Sequence, residues 1–139
     1  MSASGTPASA AAALQSFLAF DYGLKRTGVA TGTRLLGVAT PRKSIHAEGK
    51  ARFAQGAEAI REWQPDALVV GVPFHPDGAE HENTLRARRF VRQLHGRFGL
   101  PVFEVDERYS TTEALSQGAR DADAASACII LEQFLRSLP

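Results

Sequence analysis

Hydrophobic and polar residues change their spacing along the chain, and each change marks an element. Phe17-Leu18-Ala19-Phe20 is a short apolar run that predicts a buried strand and delivers Asp21 at its end. Tyr22–Arg26 turns, and Thr27–Thr31 resumes strand character, so the two segments predict a β-hairpin. Gly32-Thr33 leads into a third strand over Leu35–Thr40, and Pro41 demotes the residues after it to an edge or a loop. Phe53, Ala57, Ile60 and Trp63 or Gln64 recur at helical spacing, predicting a helix over Ala51–Gln64 with Phe53 and Trp63 in the core. Pro65 stops it. Ala67–Val72 is the clearest buried strand, closed by Pro73, and His75–Glu82 is a polar loop. Asn83 is a candidate N-cap for a helix striped by Leu85, Phe90 or Val91, Leu94 and Phe98. Val102–Asp106 is a further strand, and Ser110-Thr111-Thr112-Glu113 matches a capping box for a short helix ending near Gly118. Ala124, Ala127, Cys128, Leu131, Leu135 and Leu138 stripe the last helix.

Three strands followed by alternating helices and strands imply an α/β sheet, with an antiparallel meander and two parallel strands joined by right-handed crossovers. The length of 139 residues suits one domain. Residues 1–16 are Ala/Ser-rich without Lys or Arg, so they read as a disordered tail rather than a signal peptide, leaving 17–139 as the folded domain. A net charge of +1 gives no global pull toward nucleic acid, so such an affinity must come from a local patch. The lone Cys128 has no internal disulfide partner and suits a reducing cytoplasm. No stretch approaches the roughly 20 apolar residues of a membrane span.

Chemistry first suggests itself at the hairpin. A carboxylate at the end of a buried strand must be hydrated, paired or metal-bound, and Gly23, Lys25 and Arg26 add an open backbone and two cations beside Asp21. Asp106-Glu107 stands at the end of the last strand and Asp123 at the start of the final helix. Strand ends and a helix start can converge on one sheet edge, and such a carboxylate set can hold two hard cations for phosphodiester hydrolysis. Each acid also has a plainer role: Asp21 as a turn former, Asp106 and Glu107 as surface partners of Arg108, and Asp123 as an N-cap.

Four motifs in order give the chain a family resemblance. They are Asp21-Tyr22-Gly23-Leu24-Lys25-Arg26-Thr27-Gly28-Val29-Ala30, Val69-Val70-Gly71-Val72-Pro73 with Asp77-Gly78, Asp106-Glu107-Arg108-Tyr109-Ser110-Thr111-Thr112-Glu113-Ala114, and Asp123-Ala124-Ala125 through Ile130-Leu131. From Phe17 to the C-terminus the chain resembles the YqgF/RuvX proteins, known as Holliday junction resolvases and as nucleases maturing the 5′ end of pre-16S ribosomal RNA. The resemblance implies a ribonuclease H-like fold, a mixed five-stranded sheet flanked by helices. It also implies that Asp21, Glu107 and Asp123 are catalytic ligands of Mg²⁺ or Mn²⁺, two ions in all, with Asp106 as a neighbour to the set. Two departures stand out. The segment before Asp123 is short and nearly uncharged, which makes Asp121 a rival ligand. Junction resolvases of this fold place a Glu at the end of the central strand, where this chain has Gly71-Val72-Pro73, so Glu107 has to substitute from the next strand.

Lys25, Arg26, Arg108, Thr111, Arg88 and Arg92 are the candidate substrate contacts. The last two belong to a row with Arg86, Arg89 and Arg97 that either tracks a phosphate backbone or is a solvated helix face. His75 and His81 flank a loop with Asp77, Glu80 and Glu82, which reads as a polar loop before a metal site. The expected activity is metal-dependent hydrolysis of structured nucleic acid by a cytoplasmic bacterial enzyme, a monomer or weak homodimer, with pre-16S rRNA as first substrate. The alternatives are a resolvase of four-way DNA junctions, a non-catalytic nucleic-acid-binding module, and the phosphate loop of a sugar-kinase or actin fold. That last fold needs two such domains, and the chain has length for one.

Overall fold

The computed structural model describes residues 14–75, 77–107 and 122–138. The predicted short helix after Ser110, and with it Arg108, Thr111 and Asp121, lies outside them, as does 1–13 of the expected tail. The strands are β1 (Ser16–Tyr22), β2 (Thr27–Thr33), β3 (Ala39–Ile45), β4 (Ala67–Val72) and β5 (Val102–Asp106). The helices are α1 (Gly49–Trp63), α2 (Glu82–Phe98) and α3 (Ala122–Ser137). One mixed sheet runs in the order β3-β2-β1-β4-β5, with β1-β2 and β2-β3 antiparallel and β1-β4 and β4-β5 parallel. This is the ribonuclease H-like arrangement expected from the sequence.

Alternation along the central strands sorts the core into two layers. Phe17, Ala19, Ala30, Ala67, Val69 and Val105 pack under Ala127, Ile130 and Leu131 of α3. Leu18, Phe20, Val29, Leu68 and Val70 pack on the other face against Phe90, Val91 and Leu94 of α2, with Phe53 and Ile60 of α1 alongside. Every residue of β4 is buried, as its unbroken apolar run predicts.

Several boundaries differ from the sequence reading. The third strand is not Leu35–Thr40: Leu35, Leu36 and Val38 are exposed, and Gly37, at φ 69°, belongs to the turn between β2 and β3. The strand is the more polar Ala39–Ile45, in which Pro41 faces Ala30 on the sheet's edge, where a missing N–H is tolerated. Trp63 is not core; it is over a third exposed, and the Arg42 guanidinium lies 3.8 Å above its ring. His81, not Asn83, caps α2: its Nδ1 accepts from Asn83 N at 3.1 Å, while Thr84 Oγ1 accepts from His81 N. Thr84 and Ala87 fill the buried stripe in place of the exposed Leu85. The fold also reaches back past Phe17. Ser16 opens β1, the Asp66 carboxylate accepts from the Gln15 and Ser16 amides, and Leu14 packs on the α3-side core.

Candidate active site

Asp21 sits at the C-terminal end of β1, opposite Gly28 of β2 and Gly71 of β4. Its position in the alternation sends its side chain to the α3 face. Glu107 follows β5 directly, held by its amide, which donates to Val72 O at 3.2 Å. Its side chain is buried and lies over Gly71, where a Cβ would come within 2.7 Å of Oε2 and also strike Ile130. Gly71 is therefore the space that Glu107 occupies. A carboxylate carried by β5 reaches the end of the central strand β4 because β4 presents no side chain there.

The Glu107 carboxyl lies within hydrogen-bonding reach of Asp21. Burial, and then the nearby Asp123 carboxylate, push Asp21 from its ordinary 3.8 up to about 7. The Glu107 contact and the Ser126 hydroxyl oppose this rise. Ser126 Oγ is fully buried beside Asp21 yet completes no hydrogen bond of ordinary length, which leaves an unmet polar atom at the site.

Asp123 comes from the first turn of α3, where a carboxylate favours the helix dipole. Gly28 allows this. A Cβ on it would overlap the Asp123 carbonyl, so the backbone of α3 rests directly on β2. The Asp123 side chain turns outward, with Oδ2 3.1 Å from Arg26 Nε. The structure thus joins Asp21 and Glu107 directly and brings Asp123 beside them, engaged with Arg26. Among the described residues no group of three Asp, Glu, His or Cys side chains is arranged to hold a metal ion as it stands. The donor set nevertheless fits a hard divalent cation: the oxygens are carboxylate, and the Asp123 charge adds to the rise that burial imposes on Asp21, so a cation would be favoured there. Asp106 differs; it ends β5 in an exposed position opposite Val72.

Of the expected substrate contacts, Lys25 and Arg26 are exposed on the β1–β2 loop beside Asp21. The arginine row is less uniform than the sequence of α2 suggests, because acids reach it from outside the row. Arg88 pairs with Glu80 and lies 3.6 Å from Glu104 of β5, and Arg86 binds Glu82 at 2.9 Å. Arg92 is exposed. His75 and His81 contact each other edge to face at 4.7 Å, His81 caps α2 and Asp77 caps Ala79 N, so the loop is a structural turn. Burial pushes the Cys128 thiol up to about 11, with the Glu132 carboxylate adding to the rise, which suits a packed residue.

Sequence reasoning missed Arg52. It is 5 % exposed, and its Nη2 donates to the carbonyls of Gly23, at 2.7 Å, and Leu24. Its Nε donates to Ala47 O at 3.2 Å, and its guanidinium lies 4.4 Å above the Tyr22 ring. Arg52 therefore fixes the loop that carries Lys25 and Arg26. Its partners are backbone carbonyls, which leave no complementary charge to find in the sequence.

Comparison with known proteins agrees with this architecture. The chain is 74% identical over 132 residues to a protein of Albidiferax ferrireducens named "Putative pre-16S rRNA nuclease", covering 95% of this chain and 85% of that one. It is 73% identical over 128 residues to a protein of the same name from Polaromonas sp., covering 92% and 93%. Among solved structures it is similar to T. thermophilus RuvC in complex with a Holliday junction substrate, at a TM-score of 0.56, 16% identity, and coverage of 88% and 94%, a likeness of fold. The RuvX family, described as Holliday junction resolvase, matches residues 15–137. On a match spanning nearly the whole chain, this protein belongs to the RuvX family.

Proposed function

We propose that this chain is a metal-dependent nuclease acting on structured nucleic acid, first of all at the 5′ end of pre-16S rRNA in the bacterial cytoplasm. The observation that carries the proposal is the convergence of Asp21, Glu107 and Asp123 from three separate elements at one end of the sheet, a buried Glu107 against a half-buried Asp21. A structural role alone does not account for two carboxyls held together largely out of water. Asp21, Glu107 and Asp123 would hold the Mg²⁺ or Mn²⁺, which when bound supplies Lewis-acid stabilisation of the phosphoryl oxygens and a more acidic water. Asp21 and Glu107 would supply carboxylate oxygens from the ends of β1 and β5, and Asp123 would add its own on leaving the Arg26 guanidinium it now pairs with. Arg26, once free of Asp123, and Lys25 would then be placed to hold backbone phosphates beside the cleaved bond. Arg92, Arg108 and Thr111 remain candidate contacts farther along the strand, whereas Arg88, engaged by two carboxylates, ties α2 to β5.

A four-way DNA junction is the second substrate, supported by the RuvC-like fold. The test is cleavage of a 5′-extended rRNA precursor and of a four-way junction, each with Mg²⁺ or Mn²⁺, by wild type and Asp21→Asn. Metal-dependent cutting that the variant lacks is the expected result, with the precursor preferred. Preference for the junction would transfer the reading to resolution, and equal cutting by both proteins would remove Asp21 from the site. Salt-sensitive binding without any cutting would make the chain a binding module.

A further inference from the structure

A cavity of about 250 Å³ opens on the sheet face away from the carboxylates, between the start of α1 and the first half of α2. Arg52, Arg86 and Arg89 line it, with Tyr22, Phe53 and Phe90 as aromatic wall and no acid in the lining. Arg52 is almost wholly buried, and among the described residues neither it nor Arg89 has a carboxylate partner. Glu82, exposed outside the cavity, engages Arg86. Arg52 already donates to the carbonyls of Gly23, Leu24 and Ala47, so among the described residues Arg89 is the guanidinium left to meet an anion, with Arg52 and Arg86 adding their charge to the lining.

The helix start adds to the same field. Glu48 makes no side-chain cap to α1, the first turn carries no acid, and Gly49 lines the cavity with open space where a side chain would stand. Free backbone N–H groups and the positive end of the helix dipole therefore accompany the arginines. The volume falls below the roughly 300–1,000 Å³ of small-molecule sites, which leaves room for a phosphate and its sugar.

Tyr22 follows Asp21 in β1, so alternation sends one side chain to the cavity and the other to the carboxylates from the same end of one strand. A nucleic-acid strand crossing that end meets both. We propose that the Arg52–Arg86–Arg89 cavity binds a backbone phosphate of the substrate strand, close to the bond cut at Asp21. This rests on the nuclease reading for its choice of ligand. Inorganic phosphate offers the same chemistry, so the test separates the two sources.

The test is equilibrium binding of a fluorescein-labelled single-stranded RNA to the full chain in EDTA, where no metal-dependent cutting intervenes, repeated across a range of salt. Arg86→Gln/Arg89→Gln is expected to weaken binding about tenfold and to reduce the salt slope by about one to two. Gln93→Glu, which keeps the arginines and adds an acid to the lining, is expected to act in the same direction. The exposed Arg61→Gln, with the same charge loss away from the cavity, is expected to leave binding unchanged. Wild-type RNA affinity in both cavity variants overturns the proposal. So does millimolar inorganic phosphate that protects wild type against unfolding through these arginines while RNA affinity ignores them, since the cavity is then a free-phosphate site. Cutting lost in Asp21→Asn with normal RNA binding in the cavity variants removes the cavity and leaves the nuclease. RNA binding that depends on the cavity, with no cutting by any protein, supports the cavity and removes the nuclease.

Discussion

The two faces of the sheet are built on opposite plans. On the α3 face, Gly28, Ala30, Gly32, Ala67 and Gly71 keep the surface low, so a helix backbone lies against the strands and sets Asp123 beside Asp21. On the other face, Leu18, Phe20, Leu68 and Phe90 fill the space with bulk, and Tyr22, Phe53 and Phe90 cluster at ring distances of 5.0–5.7 Å. Closeness assembles the acids; bulk holds the helices farther out and leaves a basic cavity between them. One strand, β1, serves both plans by alternation, so its two faces can be perturbed separately.

The largest effect belongs to the bulky face. Phe90→Ala removes the ring shared by Phe20, Tyr22 and Phe53 and is expected to cost about 4 kcal/mol in urea unfolding. Divalent-ion affinity per folded molecule should stay at the wild-type value; a loss of affinity would show that the faces are coupled. Gly28→Ala comes next, at about 3 kcal/mol, because the methyl meets backbone rather than a movable side chain. Here ion affinity should fall along with stability, since the start of α3 must shift.

Asp21→Asn has the opposite sign. The folded value of about 7 lies above the ordinary 3.8, so Asp21 favours folding below about pH 4, and that contribution is lost as pH rises through 7. Metal-free wild type should therefore lose stability across that window. The variant should not, and should exceed wild type at pH 8 by on the order of 2 kcal/mol. Thermal unfolding from pH 4 to 8 in EDTA checks this; parallel curves would place the charge cost elsewhere. Gly71→Ala should cost only about 1 kcal/mol, because Ile130 and Glu107 side chains can yield, but it displaces the Glu107 carboxylate. Calorimetric titration with Mn²⁺ should then show weaker binding at nearly normal stability. Arg26→Gln is the smallest, below about 0.5 kcal/mol for so exposed a pair. It should raise Mn²⁺ affinity a few-fold by freeing Asp123, and lowered affinity would mean that Arg26 orders the site.

Much of this plan was legible in the chain. Strong apolar runs fixed β1 and β4, and turn residues placed the hairpin, because burial on both faces demands continuous hydrophobicity. β3 escaped because an edge strand needs only backbone pairing on one side, so ATPRKSI could be polar while the apolar Leu35, Leu36 and Val38 belong to exposed loop. The approach of Glu107 to Asp21 followed from family resemblance rather than spacing. The reason it works, an absent side chain at residue 71, needs the register of β1, β4 and β5 together. Arg52 and its cavity were hidden because backbone carbonyls and neighbouring helices, not sequence neighbours, define them.

The docking of α3 on Gly28 also governs when the site can exist. Asp21 and Asp123 stand about a hundred residues apart, so their meeting is among the most non-local contacts the fold makes. During synthesis, β1, β2 and β3 can pair long before α3 has been made, and a nascent chain carries Asp21 without its helical partner. The carboxylate set is complete only once the final helix has been translated and laid against the sheet. The capacity proposed for this site therefore waits on the docking of α3 against β2.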